Sequence, residues 1–342
     1  MKKILIIRMS SIGDIVLSTS FIESVKNKFP NSQIDFLIKE EFSDIVHHHP
    51  LIDNIITYDK QSGINGLISV GKALKHKNYD AVYDIHNVFR TKLLSFFFKV
   101  SSFKQIRKPR LKRWLLFYTY QNFFKKDFSH IKMYHSLLDM TKNLPKTKLS
   151  VSNSEIEKTK QYLSSNGVNE KFITIVPGAA WEQKQWSVKN YNDLIDRILN
   201  TFSFKVVILG SKKDIICDQL STHDRIINLK GETTLRMAMS ILKLSNHTIG
   251  SDTGLLHISE ALDTPVTMIL GPTSKETGAN VVLNNSRIVE NDSLWCRPCS
   301  QNGSRKCYRK EQYCLSTIDS NVVFNNLNHC LLYTSPSPRD RG

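Results

Sequence analysis

The chain has 342 residues, 40% of them hydrophobic and 23% charged, enough apolar material for the cores of two globular domains. Forty-seven Lys and Arg against 31 Asp and Glu give a net charge of +16, which favours an acidic partner: nucleic acid, anionic lipid or a phosphorylated substrate. No apolar run reaches the roughly 18 residues of a membrane span, and the opening Met-Lys-Lys-Ile-Leu-Ile-Ile-Arg stops too soon for a signal peptide, so a cytosolic protein is expected.

In chain order, Lys3–Arg8 reads as a first buried strand, followed by a turn, Ser10-Ser11-Ile12-Gly13-Asp14, and a helix to about Lys28. Gln33–Ile38, Ile55–Tyr58 and Ala81–Ile85 are further strands, with helices between them, the last near Ile64–Lys77. The stretch 85–126 then contains no acid, eleven Lys or Arg and eleven aromatics, and reads as mostly helical. Its cations include Arg107, Lys108, Arg110, Lys112 and Arg113. A polar passage, Asn143 to Ser154, carries Pro145 and no apolar period, which suggests a linker and two domains, 1–150 and 151–330.

Beyond the linker, four apolar strands end in glycine-bearing turns: FITIVPGAA, VVILGSKKD, HTIGSDTG and TMILGPTS. Strands alternating with helices predict an α/β protein with parallel sheets. Ligands of such sheets bind beyond the carboxyl ends of the strands, where glycines such as Gly178 and Gly210 let backbone approach a phosphate. Neither GxGxxG after the first strand nor GxxxxGK[ST] occurs, so a simple dehydrogenase and a P-loop enzyme are unsupported. The last segment, 331–342, is Ser-, Pro- and Arg-rich and reads as a non-native or disordered tail.

Three stretches carry a resemblance: RMSSIGDIVLSTSFIESVK, PGAAWEQKQWSVKNYNDLI and GETTLRMAMSILKLSNHTIGSDTGLLHISEALDTPVTMILGPTS. Together they span Met1 to about Asn328 and resemble glycosyltransferase family 9, the lipopolysaccharide heptosyltransferases. The resemblance implies a GT-B fold, two Rossmann-like domains facing a cleft, the first holding the acceptor and the second the nucleotide sugar. It also implies inverting, cofactor-free and metal-independent transfer of heptose from an ADP-sugar to a lipopolysaccharide core or other phosphorylated lipid-sugar. Such an enzyme is expected at the cytoplasmic face of the inner membrane, on an anionic surface.

Asp14 has two readings from its position, a first-turn acid complementing the helix dipole or a catalytic carboxylate. The family's general base matches Asp14, and an inverting transfer needs a carboxylate to take the acceptor hydroxyl's proton. Ser10, Ser11 and Gly13 would lie against the acceptor, with Arg107, Arg110, Lys112 and Arg113 on its phosphates. Lys184, in WEQKQW, is either an exposed loop lysine or a cation on the departing diphosphate, and the family's Lys-x-Trp matches Lys184 and Trp186. In GSDTGLLH, Ser251, Thr253 and Gly254 are candidates for phosphate at a helix start, and His257 is either a core histidine or a ligand contact. Asp252 would repel a diphosphate, so it is assigned to sugar hydroxyls or to orienting the turn. Asp214 is a candidate for the ribose hydroxyls.

Cys296, Cys299, Cys307 and Cys314 have loop spacing that suits a structural zinc, free thiols or a disulfide. Cys217 and Cys330 stand alone, and His47-His48-His49 reads as surface. The functional alternative is a nucleic-acid-binding protein using the basic-aromatic stretch, although its aromatics lie in apolar blocks and no RNA-binding motif is present.

Overall fold

The computed structural model describes residues 1–98 and 102–334. The chain divides into two compact units, one of residues 1–110 and 125–150, the other of 111–124 and 151 onward. The segment Leu111–Phe124 therefore packs with the second unit, whereas a linker at Asn143–Ser154 places it in the first.

The first unit runs β1 (Lys3–Ile7), α1 (Ile12–Lys28), β2 (Gln33–Lys39), β3 (Asn54–Tyr58), α2 (Gly63–Lys75), β4 (Ala81–Asp84), α3 (Phe89–Ser95) and β5 (Ser102–Gln105). The chain then enters α4 (Arg110–Thr119) and returns for α5 (His130–His135). All strands are parallel, in the order β3-β2-β1-β4-β5. The central strand is a continuous apolar run because helices cover both faces of a parallel sheet; Ile4 to Ile7 of β1 are all fully buried. β5 is a correction: the basic stretch is interrupted by an edge strand paired with Ala81–Asp84. Pairing with β4 overrides a local pattern that read as helix.

α1 is buried along most of its length, which its small hydroxyl residues allow. Ser18 and Thr19 donate to the carbonyls of Ile15 and Val16, so their oxygens need no water. Ser24 bonds His135 Nε2 across the interface with α5 at 2.9 Å, and this contact fixes the register between α1 and α5.

The second unit contains α6 (Asn153–Ser165), β6 (Phe172–Val176), α7 (Val188–Thr201), β7 (Lys205–Ile208), β8 (Ile226–Asn228), α8 (Leu235–Leu244), β9 (His247–Ser251), α9 (Gly254–Ala261), β10 (Val266–Leu270), β11 (Arg287–Glu290), α10 (Tyr313–Ser316) and α11 (Ser320–Thr334). Its parallel sheet has the order β11-β10-β9-β6-β7-β8. Counted from β6 this is the doubly wound order 3-2-1-4-5-6, with its switch point between β6 and β9. The first unit has its switch point between β1 and β4 for the same reason. α11 continues through Thr334, so the first four residues of the expected tail are helical; 335–342 lie outside the described residues, as does Lys99 of the basic stretch.

Candidate functional site

In the first unit, the loop leaving β1 at the switch point carries Arg8 and Ser11, and the first turn of α1 carries Asp14. Asp14 Oδ2 is 2.5 Å from Arg8 Nη2 and accepts a hydrogen bond from the Ser11 hydroxyl at 3.1 Å. Oδ1 accepts from the Tyr134 hydroxyl at 2.9 Å and lies 3.1 Å from His130 Nδ1. His130 and Tyr134 reach it together because they stand four residues apart on α5, hence on one helix face. Ser11 occupies the N-cap position of α1 without a side-chain cap bond, since its hydroxyl is turned to Asp14. About a quarter of the Asp14 side chain (24%) stays exposed, enough for a hydroxyl to approach, while Arg8 is buried.

Burial pushes the Asp14 carboxyl up, but Arg8, His130 and Tyr134 together outweigh it and hold it well below the usual carboxylate range. Asp14 is therefore an ionised carboxylate with a full complement of partners. Arg8, itself anchored by donating to Ile85 O at 2.8 Å, and the His130–Tyr134 pair were missed by the sequence reading. The i, i+4 spacing of His130 and Tyr134 was the only local signal for the pair.

In the second unit, the loops leaving β6 and β9 bring Lys184 and Asp252 together. Lys184 Nζ is 3.0 Å from Asp252 Oδ2, and both side chains are nearly buried. The Thr273 hydroxyl donates to the same oxygen at 2.9 Å, and His257 Nε2 lies 3.8 Å from Oδ1. Burial raises the Asp252 carboxyl, yet Lys184 and His257 bring it far below its ordinary value. Lys184 is thus no exposed loop lysine, and Asp252 orients it. Thr253 caps α9 without using its side chain, and Gly254 opens that helix.

Asp214 joins the two glycine turns. A Cβ on Gly178 would lie 2.4 Å from its Cγ, and one on Gly210 would lie 2.6 Å from Cys217 Sγ and 3.3 Å from the Asp214 Cβ, so a side chain at either position would displace Asp214 or Cys217. Its carboxylate accepts from the backbone N–H and hydroxyl of Ser211 at 2.6 and 2.7 Å.

Two donor candidates have their side chains in the core of the second unit. Trp186 is almost fully buried, donates its indole N–H to Ile318 O at 3.1 Å and packs edge-on against Tyr191, so its ring packs in the core with its one polar atom satisfied. Ser251 is fully buried, 3.2 Å from the Tyr191 hydroxyl, and so faces inward from the end of β9.

Of the acceptor candidates, Arg107 and Arg110 are exposed on the first unit, whereas Lys112 and Arg113 ride on the part of α4 that packs with the second. α4 exposes Leu111, Trp114 and Tyr118, and the last two rings stack at 5.7 Å. The cysteines are all free thiols, and among the described residues no group of three or more His, Cys, Asp or Glu is closed on a common metal position. No helix among the described residues is long and apolar enough to cross a membrane.

Among solved structures, the chain is similar to an Escherichia coli ADP-heptose LPS heptosyltransferase II, with 23% identity, a TM-score of 0.75, and 97% of this chain and 99% of that one covered. It is also similar to a family 9 glycosyl transferase from Veillonella parvula, with 19% identity, a TM-score of 0.77, and coverage of 97% and 98%. Two doubly wound units with these likenesses define the GT-B fold of glycosyltransferases. A model of glycosyltransferase family 9 (heptosyltransferase) matches residues 67–308. Lipooligosaccharide heptosyltransferase 2 of Haemophilus ducreyi is 30% identical over 298 residues, covering 80% of this chain and 84% of that protein. The chain belongs to glycosyltransferase family 9 and is a glycosyltransferase. None of these comparisons supports nucleic-acid binding, and that alternative is set aside.

Proposed function

We propose that the protein transfers a heptose, or a closely related sugar, from an ADP-sugar to a lipopolysaccharide core or other phosphorylated lipid-sugar acceptor, with inversion at the anomeric carbon. The observation that carries the reading is Asp14, an ionised and partly exposed carboxylate at the switch point of its sheet. In the proposed step the acceptor hydroxyl oxygen forms a bond to the anomeric carbon. The bond from that carbon to the phosphate oxygen breaks, and ADP leaves with the electron pair. Asp14 takes the hydroxyl's proton, which becomes acidic only as the new bond forms, so a weak base suffices. Lys184, held by Asp252, meets the negative charge growing on the diphosphate. Thr253, Gly254 and the Gly178 and Gly210 turns are the proposed neighbours of the nucleotide, and His257 steadies Asp252. The deciding experiment is a thermal-shift screen of ADP-heptose against UDP-, GDP- and CMP-sugars, since ligand binding stabilises by mass action. Selective stabilisation by ADP-heptose is expected; preference for another nucleotide sugar overturns the donor assignment.

The electrostatics of Asp14 give a pH prediction. Because its carboxyl is held low, loss of its charge should produce no acid limb in kcat/KM above about pH 5. In Arg8→Gln the largest opposing influence is gone while burial remains, so the acid limb should move upward. The sign for stability is the same: a depressed carboxyl stabilises the fold above its unfolded pKa, and that contribution is lost as pH falls through the lower folded value. An unchanged acid limb in the variant would detach Arg8 from Asp14's titration.

We also propose that the exposed cations and aromatics between Arg107 and Tyr118, with Arg107 and Arg110 on the first unit and Lys112, Trp114 and Tyr118 on the second, engage an anionic membrane and the acceptor's phosphates. Each cation near such a surface contributes about 1 kcal/mol, screened within a Debye length. Vesicles containing anionic phospholipid should bind the protein at low salt and release it by roughly 0.5 M salt. Neutralising Arg107, Lys108, Arg110, Lys112 and Arg113 together should raise the acceptor KM and leave ADP-sugar binding intact. Vesicle binding indifferent to both salt and the substitutions would reduce the surface to a solubilising one.

A further inference from the structure

The segment between β11 and α10, residues 291–312, contains no helix or strand, yet it is held at both ends and in its middle. Arg297 donates to Gly271 O at 2.5 Å and to Thr273 O at 3.1 Å, pinning the segment to the end of β10. Arg305 donates to Phe117 O at 3.0 Å and lies over the Tyr118 ring at 4.6 Å, which ties in α4. Gln312 donates to Gln183 O at 2.5 Å, and a Cβ on Gly303 would lie 2.4 Å from Lys184 Cγ. An irregular segment of this length inside a compact unit is uncommon and usually has a function.

Cys296, Cys299, Cys307 and Cys314 all line one small cavity of about 20 Å³ in this segment, room for a single water-sized body or ion. Nitrogen donors already face the sulfurs: Arg309 Nη1 is 3.7 Å from Cys296 Sγ, and Gln312 Nε2 is 3.7 Å from Cys314 Sγ. Such donors suit thiolates bound to a metal better than neutral thiols. Arg297, Arg305 and Arg309 also border the cavity and would balance the two net negative charges of four thiolates around a divalent ion.

We infer that Cys296, Cys299, Cys307 and Cys314 bind one thiophilic divalent cation of the Zn²⁺ class, which folds residues 291–312 and thereby steadies the Lys184 turn. Binding releases the four thiol protons to solvent and forms four metal–sulfur bonds of about 2.3 Å. Among the described residues the sulfurs do not share a common centre, so ligation must draw them inward, Cys307 from the exposed side. The ion is structural: four protein ligands leave no position open for substrate.

The test is the metal content of the full-length, tag-free protein by plasma mass spectrometry, with Co²⁺ loading of the metal-depleted protein as a spectroscopic probe. The expected results are close to one Zn²⁺ per chain, sulfur-to-cobalt charge-transfer absorption in the near ultraviolet, and loss of both in Cys299→Ser but not in Cys330→Ala. Chelation should raise hydrogen exchange at residues 182–185 and 291–312 together. Less than about 0.1 metal per chain with no cobalt band overturns the inference, as does a mass showing an intact disulfide within the four. Should Cys299→Ser not fold, the wild-type stoichiometry and cobalt spectrum decide. Metal content is read without any sugar transfer, so this inference and the proposed reaction fail independently.

Discussion

Asp14→Asn should lower turnover by roughly 10²–10⁴-fold, the range for removing a positioned base, while ADP-sugar affinity stays within about twofold. The substitution keeps the side chain's shape, and its one amide oxygen can still accept from Tyr134 or from Ser11, which donate to the two separate Asp14 oxygens at 2.9 and 3.1 Å. What it removes is the negative charge beside Arg8 and the ability to take a proton. Two measurements separate the readings of Asp14: single-turnover transfer with saturating acceptor, and the thermal midpoint. A helix-dipole role would show as a lower midpoint with turnover nearly unchanged. A base would show the reverse, apart from the modest cost of leaving the Arg8 guanidinium without its 2.5 Å partner.

Lys184→Ala should weaken ADP-sugar binding and reduce turnover by a further 10–100-fold, because the charge on the leaving diphosphate is greater in the transition state than in the bound donor. The same change strips Asp252 of its 3.0 Å partner in a nearly buried site, so some loss of stability accompanies it. Lys184→Arg separates the two effects: it restores the charge but not the geometry, and should recover stability more than turnover. Equal kcat in Lys184→Ala and wild type, with only KM raised, would confine Lys184 to uniform donor binding. Brief EDTA treatment should leave transfer intact in either protein. Slow inactivation in EDTA that tracks unfolding would belong to the cysteine cavity, whereas immediate loss reversed by Mg²⁺ would place a divalent ion in the reaction.

The α/β class, the parallel sheets and most strands were legible in the sequence, because burial on both faces of a parallel sheet demands continuous apolar runs such as Ile4–Ile7 and Phe172–Val176. The strand-end turns that lead to Asp14 and hold Lys184 and Asp252 were legible for a related reason: glycine and polar residues must interrupt those runs where the chain leaves the sheet. The short edge strands β5, β8 and β11 were not, since their identity comes from a neighbour's unpaired backbone rather than from their own residues. Only tertiary structure decided which polar groups meet. Arg8, His130 and Tyr134 surround Asp14 because α5, more than a hundred residues away in sequence, packs on α1. Trp186 and Lys184 stand two residues apart and read alike in sequence, yet one closes the core and the other meets Asp252. Sequence spacing specifies local geometry over a few residues; burial and ion pairing are settled by what arrives from the rest of the chain, and this assigns Trp186 to packing and Lys184 to Asp252.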